Sequence, residues 1–306
     1  MPPARPGPLG KIGLVAAGVL LAACVLAPPF YWAGQALREI WPSIPDYPFH
    51  RYFSRIAQVG GILGAVGLVF WLGVRRAADL GIERNPRCGR DLLAGVFAAL
   101  LPALLLAALL ISWDVFRPRR DPAFEALGRI LLTACVVAAV EEFLFRGVLL
   151  GLARKSLGTA RAVVLVSLVF AIVHFLRPSK GAVGHVDWTS GFAQAAASFS
   201  SMPPPAQMAW GFATLFFAGL LLAWVTVRTN SLWMAAGVHA GWILGQQGLN
   251  WFAKFRIKPP EEFLPWAGPA LVSGVVPTGL LPLGALVLAC GLSAAYLAFF
   301  RRAPRG

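Results

Sequence analysis

The sequence has few charged residues, and its long apolar runs contain almost none. Of its 306 residues only 13% are Asp, Glu, Lys or Arg, whereas 58% are hydrophobic. A soluble globular domain carries roughly a quarter charged residues, so this composition argues strongly against a soluble fold. Uncharged runs of about eighteen residues or more recur along the chain and predict helices that span a membrane.

Cysteine is also scarce, with four residues in the chain. Their spacing is typical neither of a disulfide framework nor of a zinc knuckle. We therefore expect Cys24, Cys135 and Cys290 to be small apolar residues of predicted spans, and Cys88 to lie in a connection.

Acidic residues are outnumbered, with 13 Asp and Glu against 27 Lys and Arg and a formal net charge of +14. The basic residues are scattered through the connections between apolar runs instead of forming one patch. This pattern indicates membrane topology and contact with anionic lipid, and we expect no nucleic-acid partner. Slightly more Lys and Arg on the face that holds the termini favours both termini inside.

The apolar runs predict an all-α, polytopic membrane bundle of about eight transmembrane helices. We expect Pro28 and Pro29 to end or kink the first helix. The chain shows no separate soluble domain, so residues 1–306 are expected to form one integral, multi-pass membrane domain. The abundance of Ala, Arg, Pro and Gly is compatible with a GC-rich bacterium, and we expect the protein in the bacterial inner (cell) membrane. The predicted spans lie near 12–34, 56–74, 92–112, 128–153, 160–176, 207–228, 231–253 and 278–300.

Four ionisable side chains interrupt these apolar spans, with Arg146 one turn beyond two of them. They are Glu141, Glu142, His174 and His239. Ionisable groups at that depth are costly and mark a functional site by default. Counted at 1.5 Å per residue, Glu141, His174 and His239 lie at overlapping depths of about 18, 21 and 12 Å. Three separate helices therefore place polar groups at similar depths in the membrane.

The two adjacent glutamates are expected to have different roles. Glu142 and Arg146 are four residues apart with the acid first, which favours an intrahelical ion pair. Glu141 lies about 100° round the helix and is not neutralised by that arginine. This leaves Glu141 available as a general base for water.

Three motifs in this order resemble the CAAX-processing and bacteriocin-processing intramembrane endopeptidases, whose eukaryotic members are the Ras-converting CAAX proteases. Glu141, Glu142 and Arg146 match Glu-Glu-x-x-x-Arg, and Phe170 with His174 matches Phe-x-x-x-His. His239 matches the histidine of a third motif, His-x-x-x-Asn or Asp. The resemblance covers roughly 125–250, which we take as the catalytic core.

The resemblance implies that Glu141 and His174 activate a water molecule and that His239 stabilises the oxyanion. The family's Asn is replaced by Ile243, so one oxyanion donor is missing. Gln246 lies about 10 Å further along the helix, too far to substitute simply. Gln247, Asn250 or a loop residue remain candidates, or His239 acts alone.

Zinc is a second possibility for the same chemistry, because Glu141, His174 and His239 could supply three ligands with water as the fourth. However, Glu142 is expected to be committed to Arg146, and no His-Glu-x-x-His helix is present. We therefore favour a glutamic-type reaction without a cofactor over a metalloprotease.

The sequence thus favours an intramembrane endopeptidase acting on a membrane-associated protein or peptide precursor. Prenylated proteins, bacteriocin precursors, sorting signals and anti-sigma factors all remain open as substrates. A non-catalytic binding or immunity protein of the same fold is an alternative, motivated by Ile243. A transporter with a proton relay is another, weakened by the lack of a convincing internal repeat.

Overall fold

The computed structural model describes residues 7–176, 179–200, 203–257, 260–268 and 278–300. Five helices in these ranges are long and apolar enough to cross a membrane. The all-α polytopic prediction is confirmed. Each of the eight predicted spans falls on a helix or on a continuous helical run, but the spans 128–153, 160–176 and 231–253 are not among these five helices. The α-helices are α1 (Pro8–Ile40), α2 (Phe49–Trp71), α3 (Cys88–Ser112), α4 (Ala126–Glu142), α5 (Leu150–Leu157), α6 (Thr159–Val173), α7 (Ser190–Ser200), α8 (Pro205–Thr229), α9 (Trp233–Phe252) and α10 (Leu280–Phe300).

The sequence predicted that Pro28 and Pro29 end or kink the first helix. Helix α1 does not end there but continues to Ile40. Pro28 has no backbone N–H, so the carbonyl of Cys24 loses its partner one turn earlier. Gly191 of α7 packs directly on that carbonyl, where a β-carbon would overlap the Cys24 oxygen. The Cα–H group of Gly191 therefore lies next to the Cys24 carbonyl, which has no helical N–H partner because of Pro28.

The predicted span 128–153 is not one regular helix. Between α4 and α5 the chain forms a π-helical segment, Phe143–Leu149. Such widened turns are often found at functional sites. Helix α6 ends at Val173, so the expected continuation past His174 is wrong.

The chain divides into two compact units, Met1–Arg75 with Phe175–Met202, and Arg76–His174 with Pro203–Gly306. The first unit contains α1, α2 and α7. Its core includes Ala23, Ala27, Phe49 and Phe53, and Asp187 caps the start of α7. Hydrogen bonds from Thr189 and Ser190 hold the pKa of the Asp187 carboxyl below its ordinary value. A single domain over 1–306 with a catalytic core at 125–250 stays a prediction.

In the second unit α9 packs against α3 through small residues. Gly237 and Gly241 meet the backbone of α3 so closely that a β-carbon would overlap the carbonyl oxygens of Leu92 and Val96. Small residues at four-residue spacing allow membrane helices to approach in this way. Helix α4 packs along another part of α9, where Ala134 and Ala138 contact Ile243. This packing fixes the helix that carries His239.

A short antiparallel sheet, which the sequence analysis did not predict, follows α3 and α9. Strand β1 (Phe116–Pro118) pairs with β2 (Ala253–Phe255), with Phe116 opposite Phe255. The sheet links the C-terminal ends of α3 and α9, which lie on the same side of the membrane.

Candidate active site

The structure brings all five predicted site residues into one cluster within the second unit. Glu141 and Glu142 end α4, and Arg146 lies in the π-helical segment. His174 directly follows the last residue of α6. His239 lies in the second turn of α9. Four chain segments therefore supply one polar cluster in otherwise apolar surroundings.

Glu142 binds two cationic or potentially cationic groups through one oxygen. Its Oε1 accepts a hydrogen bond from Nη1 of Arg146 at 3.0 Å, so the predicted ion pair is present. The same atom lies 2.7 Å from Nδ1 of His239. Glu142 and Arg146 are each only 1% exposed. The sequence suggested the first contact but not the second.

Arg146 is held from two further sides. Its Nη2 donates to the carbonyl of Gly219 in α8 at 3.3 Å. Its guanidinium carbon lies 4.3 Å from the ring centre of Phe170, within cation–π range. The arginine thereby connects α8 and α6 to the glutamates.

Glu141 faces both histidines. Its Oε2 lies 3.8 Å from Nε2 of His174 and 3.8 Å from Nε2 of His239. The side chains of Glu141 and His174 are 26% and 19% exposed, whereas Glu142 is sealed. The neighbouring glutamates thus differ in exposure as well as in their pairing with Arg146.

Three buried polar atoms of this cluster have no hydrogen-bond partner among the described residues. Unsatisfied buried groups are costly and call for an explanation, such as a reactive site. They are Glu141 Oε2, Glu142 Oε2 and Arg146 Nε.

The contacts of the other ring nitrogens fix the histidine tautomers. Nδ1 of His174 lies 2.7 Å from the carbonyl oxygen of Phe170. A carbonyl only accepts hydrogen bonds, so this nitrogen carries a proton. Nδ1 of His239 faces the Glu142 carboxylate and carries one for the same reason. In a neutral imidazole the Nε2 of each ring is then an acceptor directed towards Glu141.

The zinc alternative depends on how three donor atoms of the cluster are arranged. Glu141 Oε2 and the two Nε2 atoms present three lone pairs, which resembles a three-ligand zinc set. Among the described residues, however, no group of three or more His, Cys, Asp or Glu side chains has a geometry that could hold a metal ion. The preference for a reaction without metal stays a prediction.

Ile243, at the position of the family's Asn or Asp, is 4% exposed and packs among alanines of α4 and α9. Gln246 is 7% exposed and lines a separate small cavity with Trp242 and Leu106. Asn250 lies eleven residues beyond His239, about 16 Å along the helix, where its carbonyl accepts hydrogen bonds from Arg119. None of these contacts brings an amide to Glu141.

Sequence reasoning missed two participants. The carbonyl of Gly219 has no side-chain signal, since it acts through the backbone. Phe145 packs edge-on against Phe170 at 5.2 Å between ring centres and could have been suspected from its place within the first motif.

Comparison with known proteins agrees with the motif resemblance. Residues 123–244 match the family described as type II CAAX prenyl endopeptidase Rce1-like. No curated protein matches the chain significantly. The matched range contains all five clustered residues, and the long apolar helices indicate an integral membrane protein. Residues 123–244, which carry the whole cluster, are thus similar to the type II CAAX prenyl endopeptidase Rce1-like family.

Proposed function

We propose that this protein is an intramembrane endopeptidase that hydrolyses a peptide bond of a membrane-associated protein or peptide precursor. One observation carries the proposal. Glu141 Oε2 lies 3.8 Å from Nε2 of both His174 and His239, while each ring's other nitrogen is engaged elsewhere. A carboxylate oxygen and two ring nitrogens therefore converge on one buried point.

A water molecule at this point can satisfy both Glu141 and His174. Each is an acceptor, and water has two O–H groups to donate. Separations of 3.8 Å are longer than a direct hydrogen bond and suit bridging by water. Donation of both hydrogens leaves an oxygen lone pair for attack, which is what general-base catalysis requires.

His239 is suited to stabilise the oxyanion. The Glu142 carboxylate on its Nδ1 favours an added proton on the ring, whose Nε2 then becomes a donor. With that proton, the two glutamates, Arg146 and His239 sum to no net charge. Electrical neutrality lowers the cost of keeping four such groups inside an apolar bundle.

Hydrolysis of the peptide bond then proceeds in two steps. The water oxygen attacks the scissile carbonyl carbon, and Glu141 takes the released proton while His239 donates to the oxyanion. Glu141 then returns the proton to the leaving amine as the C–N bond breaks. The products are one carboxylic acid and one amine, and transfer of the acid's proton to the amine gives a carboxylate and an ammonium group.

We propose a glutamic-type reaction without metal. Glu142 is occupied by Arg146 and His239, and the remaining three donor atoms lack a metal-binding geometry within the described part of the chain. No step above requires a Lewis acid.

The family description and the membrane setting support a proposal for the substrate class. A prenylated tail ending in Cys-aliphatic-aliphatic-X is the first candidate, because the matching family is described as a CAAX prenyl endopeptidase. A bacteriocin precursor, sorting signal or anti-sigma factor would present the same chemistry, a peptide segment at the membrane. We place the enzyme in a bacterial inner membrane with its termini inside, on the basis of composition and loop charge.

The test uses the full-length protein in lipid nanodiscs. A farnesylated peptide ending in Cys-aliphatic-aliphatic-X is incubated in ¹⁸O-labelled water and the products are identified by mass spectrometry, with the unprenylated peptide as control. We expect a new peptide whose carboxylate carries one ¹⁸O atom. Absence of any product from this peptide and from membrane-anchored precursor peptides would remove the proposal.

A second candidate is a non-catalytic membrane binding or immunity protein. Ile243 favours it, because an apolar residue occupies the position of an oxyanion donor. This candidate predicts that the protein binds such a peptide without releasing products, and that Glu141→Ala leaves the binding intact.

A further inference from the structure

The second unit contains a polar groove remote in sequence from the motif residues of α6 and α9. It lies where the 3-10 turn Ala77–Leu80, the end of α5 and the start of α6 meet. Two cations, a hydroxyl and one carboxylate face a largely open hollow. The lining residues are Asp79, Leu80, Gly81, Gly151, Arg154, Lys155 and Thr159.

The groove lies at a membrane boundary. Next to it in the chain, the backbone N–H of Glu83 donates to the carbonyl of Asn230, just after α8 ends. Asn85 then contacts Ser231 at 3.1 Å, immediately before α9 begins. Further along, Arg87 donates to the carbonyl of Phe300 at the end of α10. The starts of α3 and α9 and the ends of α8 and α10 therefore share the face that holds the groove.

This face is strongly basic. Its acids are Asp79, Glu83 and Asp91, and Asp91 is fully buried and hydrogen-bonded to Asn85 and Tyr296. An excess of Lys and Arg marks the cytoplasmic side of a membrane protein, where the adjoining leaflet carries anionic lipids. The basic residues are Arg76, Arg84, Arg87, Arg90, Arg154, Lys155, Arg161 and Arg228.

Arg154 is positioned in the groove by packing. Its guanidinium lies so close to Gly81 that a β-carbon there would be 2.9 Å from Nη1. Gly81 also has a φ of +74°, a conformation that favours glycine. The turn before α3 thus provides a flat backbone surface on which the half-buried arginine rests.

Neither Arg154 nor Lys155 forms an ion pair or side-chain hydrogen bond with another residue in the described ranges. The one carboxylate of the groove, Asp79, accepts a hydrogen bond from the backbone N–H of Arg76 at 2.9 Å. The groove therefore offers a guanidinium, an ammonium and the Thr159 hydroxyl as donors, with a single carboxylate as acceptor.

We propose that this groove binds the phosphate of an anionic lipid headgroup. Arg presents paired N–H donors that match phosphate oxygens, and Lys adds a second positive charge. Basic hollows between helix ends at the cytoplasmic face are suited to such headgroups. The groove residues lie outside the catalytic cluster, so this binding does not depend on the proposed hydrolysis.

The test compares two charge-matched double variants in phosphatidylcholine nanodiscs that contain a fluorescent phosphatidylglycerol. Arg154→Gln with Lys155→Gln removes the groove cations. Arg84→Gln with Arg90→Gln removes two exposed cations of the same face, outside the groove. We expect the first variant to bind phosphatidylglycerol at least about 30-fold more weakly, because it loses two charge-assisted contacts with the phosphate. The second should change by less than about threefold.

Two further experiments test the roles of positive charge and of phosphate. Arg154→Lys with Lys155 intact should restore most of the binding, and thermal unfolding should show all variants folded. Displacement of the label by inorganic phosphate or glycerophosphoglycerol supports the phosphate chemistry and measures how much the acyl chains add. Equal losses in the two double variants, or no loss in either, overturn the proposal.

Discussion

The Oε1 atom of Glu142 lies 2.7 Å from Nδ1 of His239, while the same oxygen accepts a hydrogen bond from Arg146 at 3.0 Å. The glutamate that the sequence marked as structural thus contacts a candidate catalytic histidine directly. Glu142 therefore links the support of the site to its chemistry, and its loss should affect both.

We predict that Glu142→Gln lowers stability by about 3–5 kcal/mol, because Arg146 is left buried and charged without its carboxylate. Cleavage should fall as well, since the amide no longer favours a proton on His239. Thermal unfolding in detergent measures the first effect and peptide release the second. Glu141→Gln is the matched control, with the same chemical change at the next residue. Equal melting temperatures for the two variants would contradict this division of roles.

A second prediction concerns the ring of Phe170, which lies 4.3 Å from the Arg146 guanidinium and 4.5 Å from the His174 ring. Phe170→Leu keeps the backbone carbonyl that binds His174 but removes the aromatic face. Without this face the His174 ring and the Arg146 guanidinium lose a packing surface, and misplacement of a catalytic group by about 1 Å can cost about 10²-fold in rate, so we expect cleavage to fall at least about tenfold.

Phe145→Leu is the control for this substitution, since the Phe145 ring is 5.8 Å from the same guanidinium carbon and does not touch His174. Its cleavage rate should fall less. If the two variants lose activity equally, the role given to the Phe170 ring is wrong.

The sequence predicted which residues form the site better than it predicted the contacts between them. Glu142 and Arg146 could be paired by helix spacing because both lie on one continuous helical run. The contact of Glu142 with His239 joins residues 97 positions apart and depends on how α4 packs on α9, which no local pattern encodes.

The fold was predictable to a similar degree. Apolar runs revealed the spans, because burial in lipid constrains composition strongly. The π-helical segment and the two-stranded sheet were not predicted, because both follow from tertiary packing. The packing of Gly191 on the unpaired carbonyl of Cys24 was not predicted for the same reason, since it comes from a helix distant in sequence.

The Ile243 position offers a gain-of-function test. Ile243→Asn places an amide one turn beyond His239, on the helix that the family uses for its oxyanion donor. A missing donor matters by about 10²–10³ in rate, so we expect at least a tenfold rise in cleavage. Stability should fall, because the isoleucine leaves a cluster with Ala134 and Ala138.

Ile243→Val separates the two effects, as it loses volume without adding a donor. Both variants are assayed for peptide release at equal amounts of folded protein. An Asn variant no faster than the Val variant would mean that position 243 does not face the oxyanion here.

Chelation distinguishes the two proposed chemistries. After prolonged treatment with a strong chelator, a metal-free enzyme keeps its cleavage rate, whereas a zinc enzyme loses it and recovers when zinc is added. We expect less than a twofold change. Stoichiometric zinc in purified active protein, measured by elemental analysis, would reverse our preference.

The most direct test of the account is the cleavage rate of Glu141→Gln on the farnesylated peptide, compared with that of the original protein. The substitution keeps the side chain's volume and one acceptor but removes the base, and a general base contributes about 10²–10⁴ in rate. We predict that the variant folds with an unchanged melting temperature and releases at least a hundredfold less product. Equal product release by the variant and the original protein would contradict the assignment of Glu141 as the base.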